Sequence, residues 1–304
     1  MPQPRVMAIV LNYNGRDLTL QSLASLEGLD YPELEVVVVD NGSEDGSYEA
    51  VNEAFPKIHQ IRVEVNKGPA SGMNHGLRHA LAGEADYILL LNNDIEVDPA
   101  MVTEMVRAAE SDPEIGCVGP KAYYYSDRGR IWSAGGIIRF KESVTRERGE
   151  GQIDRGQFDR EQQVDYVNGC AMLIRRSALE TTGLMDPLYY LGVEDADWCM
   201  RMKRQGFRCH YTPRARLWHM VSHTLGVYKP GRTFHTGRSS AIFVRRYANR
   251  RQWLSFLLFY TLSVPAAFIR ELPKGNQRAA IEKLKGVREG LRVPLTPPPT
   301  ASSE

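Results

Sequence analysis

Four places in the 304-residue chain put polar or acidic side chains where apolar runs stop. Val36-Val37-Val38-Val39 ends in Asp40-Asn41-Gly42-Ser43, Leu89-Leu90-Leu91 ends in Asn92-Asn93-Asp94, and Leu217-Trp218 ends in His219. The fourth, Gly192-Val193-Glu194-Asp195-Ala196-Asp197, opens a helical stretch. A carboxylate at the carboxyl end of a buried strand can hydrogen-bond a base or ribose, or ligate a hard divalent cation that bridges a diphosphate. A carboxylate in the first turn of a helix is held ionised by the helix dipole, which is the state a general base needs.

Each site also has a plain packing reading. Asp40 can close its strand in an Asx turn, and Glu194-Asp195 can be an ordinary acidic first turn. Asn92 to Asp94 can serve as caps for the next helix, although Asp98 directly before Pro99 already fills that role. A lone His219 can be a structural hydrogen-bonder, and Trp198, Cys199 and Met202 read as the core face of their helix. The glycine-rich piece Asn66-Lys67-Gly68-Pro69-Ala70-Ser71-Gly72-Met73-Asn74-His75-Gly76 follows the third strand and lacks Gly-x-Gly-x-x-Gly spacing, which argues against a dehydrogenase.

The elements that must position these residues follow from periodicity. Apolar, β-branched runs at residues 6–11, 35–40, 58–65, 87–91 and 117–119 predict strands, and residues 17–26, 47–55, 70–82 and 99–111 predict helices between them. Such alternation implies a doubly wound, mainly parallel sheet of the α/β class, with ligands beyond the carboxyl ends of its strands. The second half predicts a hairpin strand at 131–140, a charged mobile loop at 141–163, a strand at 165–175, a helix at 195–205 and a short extended piece at 216–219. The domain reading is 1–227 for the catalytic body, with 1–120 and 121–227 as its two halves, then a basic and apolar helical arm at 228–292 and a disordered tail at 293–304.

Composition is ordinary for a globular chain, at 42% hydrophobic and 25% charged. The net charge of +1 hides an asymmetry, because fourteen of the 38 Lys and Arg, but three of the 37 acids, fall at 228–292. Within that arm, residues 253–269 are nearly all apolar, interrupted by Pro265 and flanked by Arg245, Arg246, Arg250 and Arg251 before and Arg270 and Lys274 after. This pattern predicts an interfacial helix held to an anionic membrane, with a full crossing, or burial against the domain or a partner chain such as a second copy, as alternatives. The arm lacks the interleaved aromatics of a base-stacking surface, so nucleic acid is not expected. Four dispersed cysteines without a Cys-x-x-Cys pair, and an N-terminus without signal-peptide architecture, predict a cytoplasmic protein peripheral to the membrane.

Taken in order, these pieces resemble the family 2 glycosyltransferases of GT-A type, in the branch that holds rhamnosyltransferases. The residues that carry the resemblance are Val10-Leu11-Asn12-Tyr13-Asn14-Gly15, Val39-Asp40-Asn41-Gly42-Ser43, Asn66 to Gly76, Leu91-Asn92-Asn93-Asp94, Val167-Asn168-Gly169-Cys170-Ala171-Met172-Leu173-Ile174-Arg175, Glu194-Asp195-Ala196-Asp197 and Trp218-His219. The resemblance implies an inverting, metal-dependent transfer of one sugar from a nucleotide-diphosphate donor, dTDP-rhamnose or a UDP-sugar, to a hydroxyl of a glycan or lipid-linked acceptor. It places Asn12, Asp40, Asn66, Gly72, Asn74, Asn92 and Asn93 on the nucleotide and donor side, and Asn168, Gly169 and Trp198 at the donor or acceptor pocket. Asp94 stands at the end of the metal-holding Asp-x-Asp motif, whose first acid is Asn92 here, and His219 is a further ligand for Mn²⁺ or Mg²⁺. Asp195 is the implied catalytic base, with Glu194 beside it. The processive members' Gln-x-x-Arg-Trp motif is absent, since Arg250-Arg251-Gln252-Trp253 has another order. The competing reading is a nucleotide-sugar-binding partner without catalysis.

Overall fold

The computed structural model describes residues 3–141, 143–220 and 229–302. The first half alternates β1 (Val6–Asn12), α1 (Arg16–Leu26), β2 (Leu34–Asp40), α2 (Ser47–Ala54), β3 (His59–Arg62), α3 (Pro69–Ala82) and β4 (Tyr87–Asn92). Then come β5 (Ile95–Val97), α4 (Met101–Glu110), β6 (Ile115–Tyr124), β7 (Asp127–Ser133), β8 (Gly136–Ile138), β9 (Thr145–Glu147) and β10 (Gln162–Val164). The second half continues through β11 (Ala171–Arg175), α5 (Arg176–Thr182), α6 (Glu194–Arg204) and β12 (Arg208–His219). Helices α7 (Pro230–Tyr247), α8 (Arg250–Glu271) and α9 (Gln277–Gly290) follow.

The main sheet runs in the order β10-β12-β6-β11-β4-β1-β2-β3. Val37–Val39 and Ile88–Leu91 are at most 1% exposed, which is why these strands read as unbroken apolar runs: both faces are covered. β1 is parallel to β2 and to β4, and the register sets Asn12 opposite Asp40 and Leu11 opposite Asn92. Three strand ends therefore stop at one level. β11 enters antiparallel between β4 and β6. Helix α3 lies close on this sheet because position 76 is glycine, where a Cβ would sit 2.4 Å from Ile9 Cγ2.

Several expectations need correction. Strand 58–65 shrinks to β3, and α4 begins at Met101 with Ala100 as its cap residue, so Asp98 does not cap the helix. Its Oδ1 instead accepts from Ala100 N at 3.0 Å, a local turn that sets up the helix one step later. The stretch 141–163 is tied down. Lys121, 1% exposed, reaches up from β6 to Asp154 Oδ2 at 2.9 Å and to Asp159, and the Tyr123 hydroxyl donates to Asp154 at 2.6 Å. Three of the dispersed cysteines meet in the core, where Cys117, Cys199 and Cys209 hold their sulfurs within 4.8 Å of one another.

The boundary at 227/228 lies outside the described residues, but α7 belongs to the body and not to an arm. Ala241 to Val244 are fully buried, and Arg246 binds Asp186 at 2.6 Å and Asp197 at 3.2 Å. α9 returns to α7: Thr233 Oγ1 donates to Ala279 O at 2.7 Å, and Gly286 and Gly290 leave room for its backbone. The tail expected to be disordered lies along the body, with Pro299 O accepting from Leu184 N at 3.0 Å and Thr296 O from Arg246 at 2.8 Å. A proline-rich strand has few donors to satisfy but many carbonyls to offer, and the body supplies the donors.

Candidate functional site

At the level strand ends, a polar network replaces the apolar core. Asn12, 1% exposed, donates through Nδ2 to Asp40 Oδ2 at 3.0 Å and to Ser43 Oγ at 3.2 Å. Its Oδ1 accepts from the Thr19 hydroxyl at 2.8 Å and from Asn93 Nδ2 at 2.9 Å. Asn93 fits there because position 15 is glycine, where a Cβ would come within 2.4 Å of its amide nitrogen. On the next strand, Asn41 donates to Asn66 Oδ1 at 3.2 Å, and Asn66 in turn holds Gly68 N at 2.8 Å. Gly72 faces this pair, its missing Cβ 2.7 Å from the Asn41 side chain. The result is a polar shelf of backbone turns and amides at the carboxyl edge of the parallel strands.

Asp94 follows β4, and β5 pairs antiparallel with β12 so that His219 lies opposite Ile95. That register delivers His219 Nε2 to within 3.0 Å of Asp94 Oδ1, across 125 residues of sequence. The backbone repeats the link, Met220 N donating to Asp94 O at 2.8 Å. Trp132 stands edge-on to the imidazole at 4.3 Å between centroids and limits its rotation. The 3.0 Å contact is a hydrogen bond between imidazole and carboxylate, and these two side chains are the ones that could hold a divalent cation at the strand ends. One carboxylate and one imidazole suit Mn²⁺ better than Mg²⁺.

Helix α6 begins on strained backbone. Gly192 and Val193 both take left-handed conformations, with φ of 80° and 65°. Such a φ is an outlier for a β-branched residue and turns the chain so that Glu194 and Asp195 form the first turn. Asp195 Oδ2 accepts from Gly169 N at 3.1 Å and Oδ1 from Ala196 N at 2.7 Å. Burial raises its carboxyl above the ordinary range while these N–H groups pull it down. Glu194 is raised further, by burial and then by Asp195, and its Oε2 is buried without a hydrogen-bond partner among the described residues.

A third carboxylate stands behind this pair. Glu147, at the end of β9, accepts from Tyr166 Oη at 2.5 Å and Asn168 Nδ2 at 3.0 Å, and from the Ser133 hydroxyl. Burial first, and the charge of Asp195 after it, push it up to about 7. Asn168 spends its other end on Cys170 N at 2.9 Å, closing the turn that presents Gly169 N.

With this geometry in place, comparison with known proteins is informative. The family model described as glycosyl transferase family 2 matches residues 7–183, more than half of the chain. The chain belongs to glycosyl transferase family 2. It is 25% identical over 225 residues to the N-acetylglucosaminyl-diphospho-decaprenol L-rhamnosyltransferase of Mycobacterium tuberculosis, covering 67% of this chain and 72% of the relative. It is 26% identical over 217 residues to the poly-beta-1,6-N-acetyl-D-glucosamine synthase of Staphylococcus epidermidis, covering 70% of this chain and only 49% of the synthase. In fold it matches the mannosyltransferase PcManGT from Pyrobaculum calidifontis, solved with GDP-Man and Mn²⁺, at a TM-score of 0.60 and 16% identity, over 96% of this chain and 88% of that one. It also matches GalNAc-T7, solved with UDP, GalNAc and Mn²⁺, at 0.66 and 16% identity, over 98% and 55%. The architecture is thus that of GT-A glycosyltransferases.

For this family 2 member the sequence-predicted residues separate into groups. Asn12, Asn66, Asn92, Asn93 and Asp94 gather at the strand ends, and Asn168, Gly169 and Asp195 meet at the turn before β11, with Glu194 next to Asp195. Asp40 is fully buried, with its oxygens on Asn12 and Ser43 N, so it organises the turn and presents no free atom. Two placements are corrected. Trp198 is fully buried with its indole N–H on Gly183 O at 2.8 Å, so it packs α6 onto the core and lines no pocket. Asn74 is 3% exposed and both ends of its amide bind the Met185 backbone, at 2.9 and 3.0 Å, so it fastens α3 and has nothing left for a donor. Glu147 was missed: it sits in a run of alternating charges where no periodicity distinguishes one acid from its neighbours.

Proposed function

We propose that the chain is an inverting, metal-dependent glycosyltransferase that moves one sugar from a nucleotide-diphosphate donor to a hydroxyl of a glycan or lipid-linked acceptor. The observation that carries this reading is the 3.0 Å convergence of Asp94 and His219 at the strand-end shelf. The rhamnosyltransferase, which takes a lipid-linked N-acetylglucosamine as acceptor, and the synthase of an N-acetylglucosamine polymer support a sugar acceptor, and the Mn²⁺ of the two solved neighbours supports the metal. dTDP-rhamnose is the first candidate donor, then UDP-sugars and GDP-mannose.

A bound Mn²⁺ or Mg²⁺ would neutralise the diphosphate of the leaving nucleotide, with Asp94 and His219 as its protein ligands. Asn12, Asn93 and Asn66 would shape the shelf for the nucleoside. Asp195 would take the proton from the acceptor hydroxyl, whose oxygen bonds to the anomeric carbon as the bond to the nucleotide diphosphate breaks on the opposite face. Configuration inverts because attack and departure are in line. The N–H groups of Gly169 and Ala196 fix the plane of the carboxylate, which limits its loss of orientation between turnovers.

The test is a thermal-shift panel of dTDP-rhamnose, UDP-N-acetylglucosamine and GDP-mannose with and without Mn²⁺. A ligand that binds the native state raises Tm, and at least one should do so only with the metal. Asp94→Ala should abolish that shift, whereas Asp195→Asn should keep it and lose sugar transfer. Failure of all three nucleotide sugars to shift Tm, or full transfer by Asp195→Asn, would overturn the reading.

A further inference from the structure

The β8–β9 hairpin stands apart from the main sheet as a two-stranded unit, pairing Gly136 to Ile138 with Thr145 to Glu147. Its last residue is turned inward. Of the acids in residues 141–163, Glu147 is the one whose carboxylate meets the segment leading to Gly169. Three neutral donors converge on it, from Ser133 on β7, Tyr166 and Asn168, while no Lys or Arg is bonded to it among the described residues. A buried carboxyl satisfied by neutral donors is costly as a stabilising device, since a salt bridge or an apolar side chain would pack the same space more cheaply.

What the carboxylate achieves is orientation. An asparagine amide can be placed either way round, and Glu147 and the Cys170 N–H fix this one from its two ends: nitrogen toward Glu147 at 3.0 Å, oxygen toward Cys170 N at 2.9 Å. With the amide in that sense, the Asn168–Cys170 turn closes and Gly169 N points at Asp195 Oδ2 at 3.1 Å. Reversed, the amide would set its oxygen against the carboxylate and its NH₂ against the Cys170 N–H, and the turn would open. We infer that Glu147 is a positioning residue for the transfer, holding the proposed base in place through Asn168 and the Gly169 N–H. It touches neither the donor shelf nor the Asp94–His219 pair. The inference rests on the reading of Asp195 as the base, so its test has one arm that needs no turnover.

That arm is amide hydrogen exchange at Gly169 in the full-length protein. Glu147→Ala should raise the exchange rate of this amide by roughly tenfold or more. Glu147→Gln keeps an acceptor for Asn168 and should leave it within about threefold of wild type. The second arm is steady-state transfer with the nucleotide sugar that passes the Tm panel and N-acetylglucosaminyl-diphospho-decaprenol as acceptor. Glu147→Ala should lose roughly 10- to 100-fold in kcat with donor KM unchanged, the scale of a misplaced reacting group, and Glu147→Gln should restore it. Tyr166→Phe removes another donor to the same carboxylate without touching Asn168, and should change Tm more than kcat. Unaltered Gly169 exchange in Glu147→Ala, or equal kcat losses in Glu147→Ala, Glu147→Gln and Tyr166→Phe, would overturn the inference. If wild type transfers no sugar, the functional reading fails, while the exchange arm still decides what Glu147 holds. Should Glu147→Ala fail to fold, Asn168→Ala provides the same exchange and kcat comparison against Glu147→Gln.

Discussion

At the scale of single residues, the first turn of α6 concentrates acid that burial holds proton-rich. Asp195 serves as a base only when ionised, and burial raises its carboxyl, so activity should fall as pH drops through a point above the ordinary aspartate value of about 4. Glu194 is raised further still and keeps its proton where Asp195 loses one, so Glu194→Gln should leave that acidic limb in place; a wild-type limb at or below about pH 4 would refute the assignment. Glu147 makes a separate claim about stability. Its folded value, about 7, lies above its unfolded one, so the stability it contributes is complete below about pH 4 and is lost as pH rises through 7. The Tm of Glu147→Gln should therefore gain on wild type between pH 5 and pH 8, and a constant difference would contradict this. The metal pair predicts a third outcome: His219→Ala should weaken Mn²⁺ binding by roughly tenfold or more, measured by titration with the nucleotide present. These chemically distinctive residues were largely legible in the sequence because each stands where an apolar run stops. Asp195, Asp94 and His219 stand out against Leu and Trp, whereas Glu147 is one acid among many.

At the scale of elements, strand–helix alternation predicted the parallel half closely, since strands buried on both faces leave uninterrupted runs of Val, Ile and Leu. What stayed hidden was everything set by distant partners. The tie-down of 141–163 depends on Lys121 from β6, and the burial of α7 depends on Asp186 and Asp197, none of which is signalled locally. The entry to α6 is another such case, because nothing about a valine announces a φ of 65°. Left-handed backbone costs an L-residue about 1–2 kcal/mol, whereas glycine adopts it freely. At an ordinary helix-entry position glycine would be the less stable choice than alanine by about 0.5–1 kcal/mol. Here the order should reverse, with Val193→Gly melting above Val193→Ala although both lose the same buried side chain. Equal or lower Tm for the glycine variant would mean that the strain is not held in solution. A drop in kcat in Val193→Gly would show that the strain helps to aim Asp195.

At the scale of the whole molecule, α8 is the unresolved surface. The stretch Arg250–Lys274 is long and apolar enough to cross a membrane by length and composition. Leu254, Leu258, Leu262 and Ile269 are 68%, 59%, 63% and 65% exposed, an apolar strip with Arg250, Arg251, Arg270 and Lys274 at its ends. A full crossing would carry α9 to the far side from α7. Yet Thr233 bonds Ala279, Arg238 pairs Glu289 at 2.8 Å, and Arg245 donates to Gly290 O at 2.9 Å. Both ends of α8 thus stay with the body, and the helix can lie in an interface but cannot span while those contacts hold. Cutting the chain after Arg251 is consequently a poor test of lipid binding, because it would strip α9 from α7 and uncover the helix that clamps α6. The sharper variant is Leu258→Glu with Leu262→Glu in the full chain. Both side chains face solvent, so Tm and Mn²⁺-dependent nucleotide binding should be unchanged, whereas sedimentation with vesicles of phosphatidylglycerol and phosphatidylcholine should be lost. Apolar burial and charge attraction both feed membrane affinity, and two acids on the strip oppose both at once. If the double variant still sediments with the vesicles, α8 is not the membrane contact. If wild type fails to sediment and light scattering shows a dimer that the double variant abolishes, the strip covers a second copy of the chain.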